Sequence, residues 1–170
     1  ADGCIGSDTV NVEVLEPSII VSNDTTICVG DTIEISASGA SVYDWSPNSN
    51  ISNTTIVNPE VWPSSTTTYI LNAEDANGCE VLDSVTVTVQ PLPAVDAGPD
   101  LAICAGETIE LVATGATNYV WEPAGSLSDP NIQNPIASPT VTTTYIVTGS
   151  DAIGCSNTDT VLLTVNDLPV

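Results

Sequence analysis

The sequence predicts an all-β protein, and three observations support this fold class. Apolar and polar residues alternate in short runs such as TIEISAS, SVTVTV and TVLLTV, which is the pattern of a half-buried strand. The turn-forming sequences VGD, SGAS, DANG and DAIG separate these runs. No segment of useful length has the 3.6-residue apolar period of an amphipathic helix.

The chain also contains an internal repeat. ICVGDTIEISASGASVYDWSP begins at Ile27 and ICAGETIELVATGATNYVWEP begins at Ile103, an offset of 76 residues (103 minus 27). Such a period is too long for a solenoid unit and close to the size of a small β-sandwich. We therefore expect two domains, 17–91 and 92–170. Residues 1–16 match the end of each repeat and are expected to form the last strand of a preceding one, as in an interior piece of a longer array.

Each repeat is predicted to contain about seven short strands. The first set lies near 18–22, 25–28, 32–38, 42–46, 55–61, 66–74 and 81–89, and the second set lies 76 residues later (103 minus 27). This number of strands, with a tryptophan on the strand at 42–46, favours tandem immunoglobulin-like β-sandwich domains.

The aromatic residues divide into core and surface candidates. Trp45 and Trp121 are predicted to lie in the core, and Tyr69 and Tyr145 to point inward; an aromatic platform for sugars is the alternative for these four. Trp62 is predicted to be exposed, because serine replaces it in the second repeat.

The charge of the chain excludes several classes of function. The protein has 22 acidic residues and no Lys, Arg or His, so its formal charge is -22. Such a surface repels nucleic acid and anionic membranes. Imidazole and basic side chains, the usual catalytic groups, are missing, and we expect no enzyme, although a carboxylate pair remains chemically possible. Because no basic side chain is present, a close pair of carboxylates must be separated by water, protonated or bridged by a cation, for which Ca²⁺ is the obvious candidate.

The cysteines recur with the repeat. Cys28 corresponds to Cys104, Cys79 corresponds to Cys155, and Cys4 matches Cys79, its partner being expected in a preceding repeat. Because no His or CxxC motif accompanies them, periodic cysteines indicate disulfides, and hence an extracytoplasmic location, rather than a metal site.

Two disulfide pairings remain open at this point. In the first, Cys28 bonds Cys79 and Cys104 bonds Cys155, each within one repeat. However, Cys28 lies before the strand at 32–38 and Cys79 after the strand at 66–74, and these strands run parallel in an immunoglobulin sandwich. The two cysteines would then be roughly 20 Å apart, whereas a disulfide needs Cα atoms within about 7 Å. In the second pairing, Cys28 of one repeat bonds Cys155 of the next.

A calcium site is expected near the junction of the repeats. The linker QPLPA at 90–94 contains two prolines, which favour a stiff extended segment. Acidic side chains that could approach this region are Asp31, Asp96, Asp100 and Asp151. Carboxylate and carbonyl oxygens are the ligands that Ca²⁺ prefers. The alternative is that these residues are ordinary solvated turn residues, since no DxDxDG spacing occurs.

The repeated motifs resemble a known group of proteins. The strings C-x-G-(D/E)-T-I-E, Y-x-W-x-P, T-T-T-Y-I and D-A-x-G-C are similar to the Ig-like and PKD-like repeats of giant surface proteins from gliding Bacteroidota, the SprB-type adhesins. The resemblance implies export by the type 9 system, a filament at the cell surface, and a role in adhesion or gliding motility. It also implies O-glycosylation of hydroxyl residues that follow an aspartate, here Thr9, Thr25, Thr32, Ser84 and Thr160.

Two functions are therefore weighed. The first is a non-catalytic structural and adhesive segment of an extracellular filament or stalk, since repetition multiplies reach and valency. Its expected partners are neighbouring repeats of the same chain, other copies of the chain in a fibre, and surface polysaccharide. Residues 5–14 could pair with another copy as a donated strand. The second is a carbohydrate-binding or accessory module of a secreted enzyme. The sequence contains no run long and apolar enough to insert into a membrane, and no signal peptide.

Overall fold

The computed structural model describes residues 8–11 and 18–169. Cys4 and most of the segments 1–16 and 5–14 lie outside the described residues, and residues 8–11 are exposed without regular structure. Apart from one 3-10 turn at Ala124–Ser126, every regular element in the described part of the chain is a β-strand. The predicted all-β class is therefore confirmed, and no described helix is long and apolar enough to span a membrane.

The strands follow the predicted positions closely. The first repeat forms β1 Ile20–Val21, β2 Thr25–Cys28, β3 Ile33–Glu34, β4 Ala37–Ser38, β5 Val42–Ser46, β6 Glu60–Val61, β7 Thr67–Glu74 and β8 Glu80–Gln90. The second repeat forms β9 Leu101–Cys104, β10 Ile109–Glu110, β11 Asn118–Glu122, β12 Ile136–Ala137, β13 Thr143–Ser150 and β14 Ser156–Asn166.

Several predicted strands are shorter than expected or are divided. The strand predicted at 18–22 is reduced to β1, the strand at 32–38 is divided into β3 and β4, and the second-repeat counterparts at 108–114 and 131–137 are reduced to β10 and β12. The strand predicted at 55–61 is reduced to β6, because Asn53 accepts hydrogen bonds from the backbone N–H (2.8 Å) and the hydroxyl (2.9 Å) of Thr55. A local side-chain turn of this kind competes with strand pairing. The second-repeat counterpart of 18–22 contains only an isolated bridge between Asp96 and Thr114.

The pairing of the strands is that of an immunoglobulin-like sandwich. Each repeat has a four-stranded sheet, with the order β2-β8-β7-β5 in the first and β9-β14-β13-β11 in the second. The remaining paired strands form the two-stranded sheets β1-β4, β3-β6 and β10-β12. In an immunoglobulin sandwich, the third, sixth and seventh strands belong to one sheet and the first, second and fifth to the other. Here β5, β7 and β8 are the third, sixth and seventh strands of the first repeat, and β11, β13 and β14 are those of the second. The tandem immunoglobulin-like prediction is confirmed.

The core of each repeat forms where apolar side chains alternate along the long strands. In β7 and β13 every second residue is buried, since successive side chains point to opposite faces of a sheet. The predicted core aromatics are confirmed as fully buried: Trp45, Tyr69, Trp121 and Tyr145 are at most 1% exposed. Trp62, in contrast, is 42% exposed.

The tyrosine of the Y-x-W motif closes the turn that precedes its strand. The Tyr119 hydroxyl donates to the carbonyl of Ala116 (2.8 Å) and accepts from its N–H (3.0 Å). Tyr43 makes the same two bonds with Ala40, at 3.0 and 3.2 Å. The motif therefore supplies one tyrosine that fixes the turn and one tryptophan that fills the core.

The described residues form two compact units. The first contains Thr32–Pro63 and Thr67–Val87 with the described residues up to Thr25. The second contains Thr26–Asp31, Ser64–Thr66 and the chain from Thr88 onward. The second unit therefore includes three short segments of the first sequence repeat, one of which carries Cys28.

Candidate functional site

A disulfide joins cysteines from the two sequence repeats. Cys28 bonds Cys155, with a Cα–Cα distance of 5.6 Å and a sequence separation of 127 residues. Both cysteines belong to the second compact unit. Cys155 is buried, with 1% exposure, and Cys28 is half-buried. Of the two pairings that the sequence left open, the structure contains the one between repeats.

The pairing within a repeat is wrong, and the strand directions give the reason. β9 runs parallel to β14, and Cys104 at the end of β9 is in register with Asn166 at the end of β14. Cys155 immediately precedes β14, which begins at Ser156. The 11 residues of β14 therefore separate the two cysteines, a distance of roughly 35 Å at the rise of a strand. No disulfide can bridge that length.

Cys28 lies in a turn that explains the C-x-G-(D/E) motif. The N–H of Asp31 donates to the carbonyl of Cys28 (3.1 Å), and the Asp31 carboxylate accepts from the N–H of Cys28 (3.1 Å). Between them, Gly30 has a φ of 96°, which side chains disfavour and glycine adopts freely. Cys104 and Glu107 repeat both bonds, at 3.0 and 2.9 Å. The acid of the motif therefore fixes the backbone of the cysteine.

Cys155 lies in a different turn, which explains the D-A-x-G-C motif. One carboxylate oxygen of Asp151 accepts from the backbone N–H groups of Ile153 (2.9 Å), Gly154 (2.8 Å) and Cys155 (2.9 Å). The N–H of Asp151 also donates to the carbonyl of Cys155 (3.0 Å). A single acidic side chain thus holds the loop that presents the cysteine.

The equivalent turn of the first repeat has the same construction. Asp75 is only 9% exposed and accepts from the N–H groups of Asn77 (2.8 Å) and Cys79 (2.9 Å). The hydrogen bond from Cys79 is the main reason that the pKa of the Asp75 carboxyl lies below its ordinary value. The role of Asp75 is not among the sequence predictions, although an aspartate lies four residues before both Cys79 and Cys155 in the sequence.

Two cysteines in the described part of the chain have no disulfide partner. Cys79 is half-buried and Cys104 is exposed. Cys4 lies outside the described residues, so its predicted partner stays a prediction. The free cysteines are the repeat equivalents of the bonded pair, because Cys79 corresponds to Cys155 and Cys104 corresponds to Cys28.

The four aspartates predicted to bind calcium each accept a backbone hydrogen bond. Asp31 and Asp151 belong to the turns described above; Asp96 accepts from Gly98 (2.8 Å) and Asp100 accepts from Leu162 (2.9 Å). Among the described residues, no three His, Cys, Asp or Glu side chains are grouped so that they could hold a metal ion. The structure therefore does not bring the four aspartates together as a ligand set.

Most of the predicted glycosylation residues are accessible. Thr9, Thr32, Ser84 and Thr160 are exposed, and Thr25 is half-buried. Modification of these hydroxyl groups stays a prediction.

A carbohydrate platform is not formed by the aromatic residues. Trp62 is the one exposed aromatic side chain in the described part of the chain. An open groove of about 440 Å³ beside β11 and β13 includes Val120, Thr144 and Ile146, while its one indole, Trp121, is fully buried. Flat exposed rings in a row, which sugar stacking requires, are missing from it.

The comparisons with known proteins give likenesses in fold. The sequence matches no known family model and no curated protein. Among solved structures, a Ca²⁺-stabilized adhesin of an Antarctic bacterium is 16% identical with a TM-score of 0.49, over 93% of this chain and 51% of that chain. The insect immune protein hemolin is 17% identical with a TM-score of 0.46, over 86% of this chain and 46% of that chain.

A third likeness is to the IG1 and IG2 domains of DIP-gamma. It has 14% identity and a TM-score of 0.41, over 89% of this chain and 99% of that chain. At this level of similarity none of these proteins assigns a function to the chain.

Proposed function

We propose that this chain is a non-catalytic structural repeat segment of an extracellular adhesive filament. The observation that carries the proposal is the disulfide between Cys28 and Cys155, which joins the two repeats across 127 residues. Disulfides of this kind persist in oxidising, extracellular compartments. A covalent bond between repeats gives a tandem array resistance to extension, which is a requirement of a filament and not of a catalyst.

The experiment that tests the proposal is single-molecule stretching from the two ends of the chain. With the disulfide intact, the loop between Cys28 and Cys155, whose sequence separation is 127, cannot extend. Reduction should therefore add about 45 nm of contour length, at about 3.6 Å per extended residue. The matched control is the Cys79→Ser/Cys104→Ser variant, which keeps the disulfide and should extend like the parent. Equal extension before and after reduction would refute the load-bearing role.

The finer parts of the proposal concern location and partners. The resemblance of the motifs supports a SprB-type surface filament of a gliding bacterium, exported by the type 9 system, with neighbouring repeats and surface polysaccharide as partners. Labelling intact cells with an antibody against this segment tests the location, because an interior protein would be labelled only after lysis.

Calcium binding and O-glycosylation are further parts of the proposal, each with its own measurement. The described structure does not group Asp31, Asp96, Asp100 and Asp151 as a ready ligand set, so the calcium proposal is tested on the whole chain. Ca²⁺ should raise the melting temperature more than Mg²⁺ does at the same ionic strength. Equal effects of the two ions would remove calcium from the proposal. The intact mass of native material should exceed the sequence mass if any of the five hydroxyl residues carries a sugar.

A further inference from the structure

The two unpaired cysteines are equivalents of the two that are bonded. Cys104 ends β9 as Cys28 ends β2, and both are followed by the same turn with an acidic side chain on the cysteine N–H. Cys79 precedes β8 as Cys155 precedes β14, and an aspartate accepts the N–H of each. The described part of the chain therefore contains one unpaired cysteine of the Cys28 type and one of the Cys155 type.

Burial differs between the bonded cysteines and their unbonded equivalents. Cys155 is 1% exposed, whereas Cys79 is half-buried. Cys28 is half-buried, whereas Cys104 is exposed. In both cases the free cysteine is the more accessible one. Both free thiols are therefore accessible enough to react.

The surroundings of Cys28 also have a second copy. The second compact unit takes in residues 26–31, 64–66 and the chain from 88 onward, which includes the end of β8. The equivalent segments of the second repeat are 102–107, 140–142 and 164–166. The same local hydrogen bond occurs in both repeats. The N–H of Val29 donates to the carbonyl of Gln90, and the N–H of Ala105 donates to the carbonyl of Asn166, each at 2.8 Å.

One of these equivalent segments exposes an apolar side chain. Val141 is 68% exposed in the segment 140–142, where the first repeat has Ser65. An exposed apolar side chain on this segment gains free energy when a partner covers it.

We propose that Cys104 is a disulfide-forming site for a second copy of this chain, in which its partner is Cys79. The pairing is head to tail, because each thiol needs the other type of turn, as in the bond between Cys28 and Cys155. A heterologous contact of this kind does not close on itself and can continue from copy to copy. This inference rests on the proposed filament function, and it identifies the cysteine that bonds Cys104 when two copies are linked.

The reaction is thiol–disulfide exchange with glutathione disulfide as the oxidant. The Cys104 thiolate attacks one sulfur of glutathione disulfide and releases one glutathione thiolate. The Cys79 thiolate of the second copy then attacks the Cys104 sulfur of the mixed disulfide and releases the second. Two protein thiols are oxidised, one glutathione disulfide is reduced, and the two protons end on two glutathione thiols.

The test uses two full-length variants that each keep one free thiol. Cys4→Ser/Cys79→Ser leaves only Cys104 unpaired, and Cys4→Ser/Cys104→Ser leaves only Cys79. In a glutathione redox buffer each variant alone should remain monomeric, and their equimolar mixture should form the mixed dimer. We expect the mixed dimer to exceed the two homodimers by at least about tenfold, which corresponds to about 1.4 kcal/mol.

The controls separate this inference from the proposed function. Non-reducing peptide mapping with Glu-C or Asp-N must find the Cys28–Cys155 peptide in both variants, which verifies the fold. When the two variants are mixed in urea, the mixed dimer and the homodimers should form in the random ratio. Homodimers as abundant as the mixed dimer, or no dimer in the native mixture, would overturn the inference, whereas the stretching experiment on the single chain would be unaffected.

Discussion

Equivalent residues in the two repeats do not have equivalent environments. The indole N–H of Trp45 donates to the carbonyl of Ile56 at 3.1 Å. The indole N–H of Trp121 is buried and has no hydrogen-bond partner among the described residues. Both rings fill the core of their repeat, so the pair isolates the contribution of one hydrogen bond.

We therefore predict that Trp45→Phe destabilises its repeat more than Trp121→Phe destabilises the other. Both changes leave a cavity, but only the first removes a hydrogen bond, at a cost of about 1 kcal/mol. Native-state hydrogen exchange of β7 and β13 measures the opening free energy of each repeat separately. Equal losses in the two variants would show that the bond to Ile56 contributes nothing.

A second prediction at this scale concerns Asp75 and pH. Its pKa is lowered from the ordinary value of 3.8, chiefly by the N–H of Cys79. A carboxyl with a depressed pKa contributes stability above its unfolded pKa and loses it as the pH falls through the folded value. Asp75→Asn should therefore destabilise the protein at pH 7, and the difference from the parent should shrink at a pH below the ordinary value.

Thermal melts of parent and variant across this pH range measure the effect. Asp44→Asn is the control, because Asp44 is exposed on β5 and should change the melting temperature little at either pH. A deficit of Asp75→Asn that stays constant with pH would contradict the assigned cause.

The position of a single residue could be predicted from the sequence where burial alone determines it. Trp45, Trp121, Tyr69 and Tyr145 could be assigned to the core from the sequence because large rings on alternating strands have few other places. The roles of Asp31 and Asp151 could not, since a carboxylate that accepts a backbone N–H and one that binds an ion use the same residue type. Only the hydrogen-bond partners distinguish these two uses.

Among the elements, the turns around the cysteines determine how the repeats are joined. The parallel pairing of β9 with β14 places the two cysteines of one repeat at opposite ends of a long strand. The choice of disulfide partner therefore follows from the direction of the strands, which no short sequence pattern encodes. The lengths of β7 and β8 were predictable from alternation, whereas the reduction of 55–61 to β6 depends on a side-chain turn at Asn53.

We predict that loss of the disulfide lowers stability strongly. The closed loop spans 127 residues, for which the chain-entropy model gives about 5 kcal/mol. The Cys28→Ser/Cys155→Ser variant and the parent under reducing conditions should therefore melt at similar temperatures, well below the oxidised parent. Cys79→Ser/Cys104→Ser should melt like the oxidised parent. An unchanged melting temperature after reduction would mean that the bond adds no stability.

At the scale of the whole molecule, every charged side chain is acidic, so the side-chain charges repel one another. The formal charge is -22, with no Lys, Arg or His, so added salt screens repulsion and has no side-chain ion pairs of those residues to weaken. The same composition leaves trypsin without a cleavage site. Overall charge and repeat length could be used directly from the sequence, because neither depends on how the chain folds.

We predict that sodium chloride stabilises this protein. Raising its concentration from about 10 mM to about 500 mM shortens the screening length several-fold, which relieves repulsion between the carboxylates. Each kcal/mol gained should raise the melting temperature by about 4–8 °C for a domain of this size. Calorimetry over this range, with sodium sulfate at equal ionic strength as the control for ion type, measures the effect. A melting temperature that falls with salt would contradict it.

The position of the disulfide also bears on how such an array can change over evolutionary time. Because Cys28 bonds a cysteine of the following repeat, each repeat added to such a series brings one cysteine for the repeat before it and one for the repeat after it. Unequal crossing-over between the similar coding units would then alter the length of the protein and still leave only one cysteine of the first repeat and one of the last without a partner in the series, as Cys79 and Cys104 are here. Repeat number becomes a trait that recombination can vary freely, while the linkage chemistry stays constant.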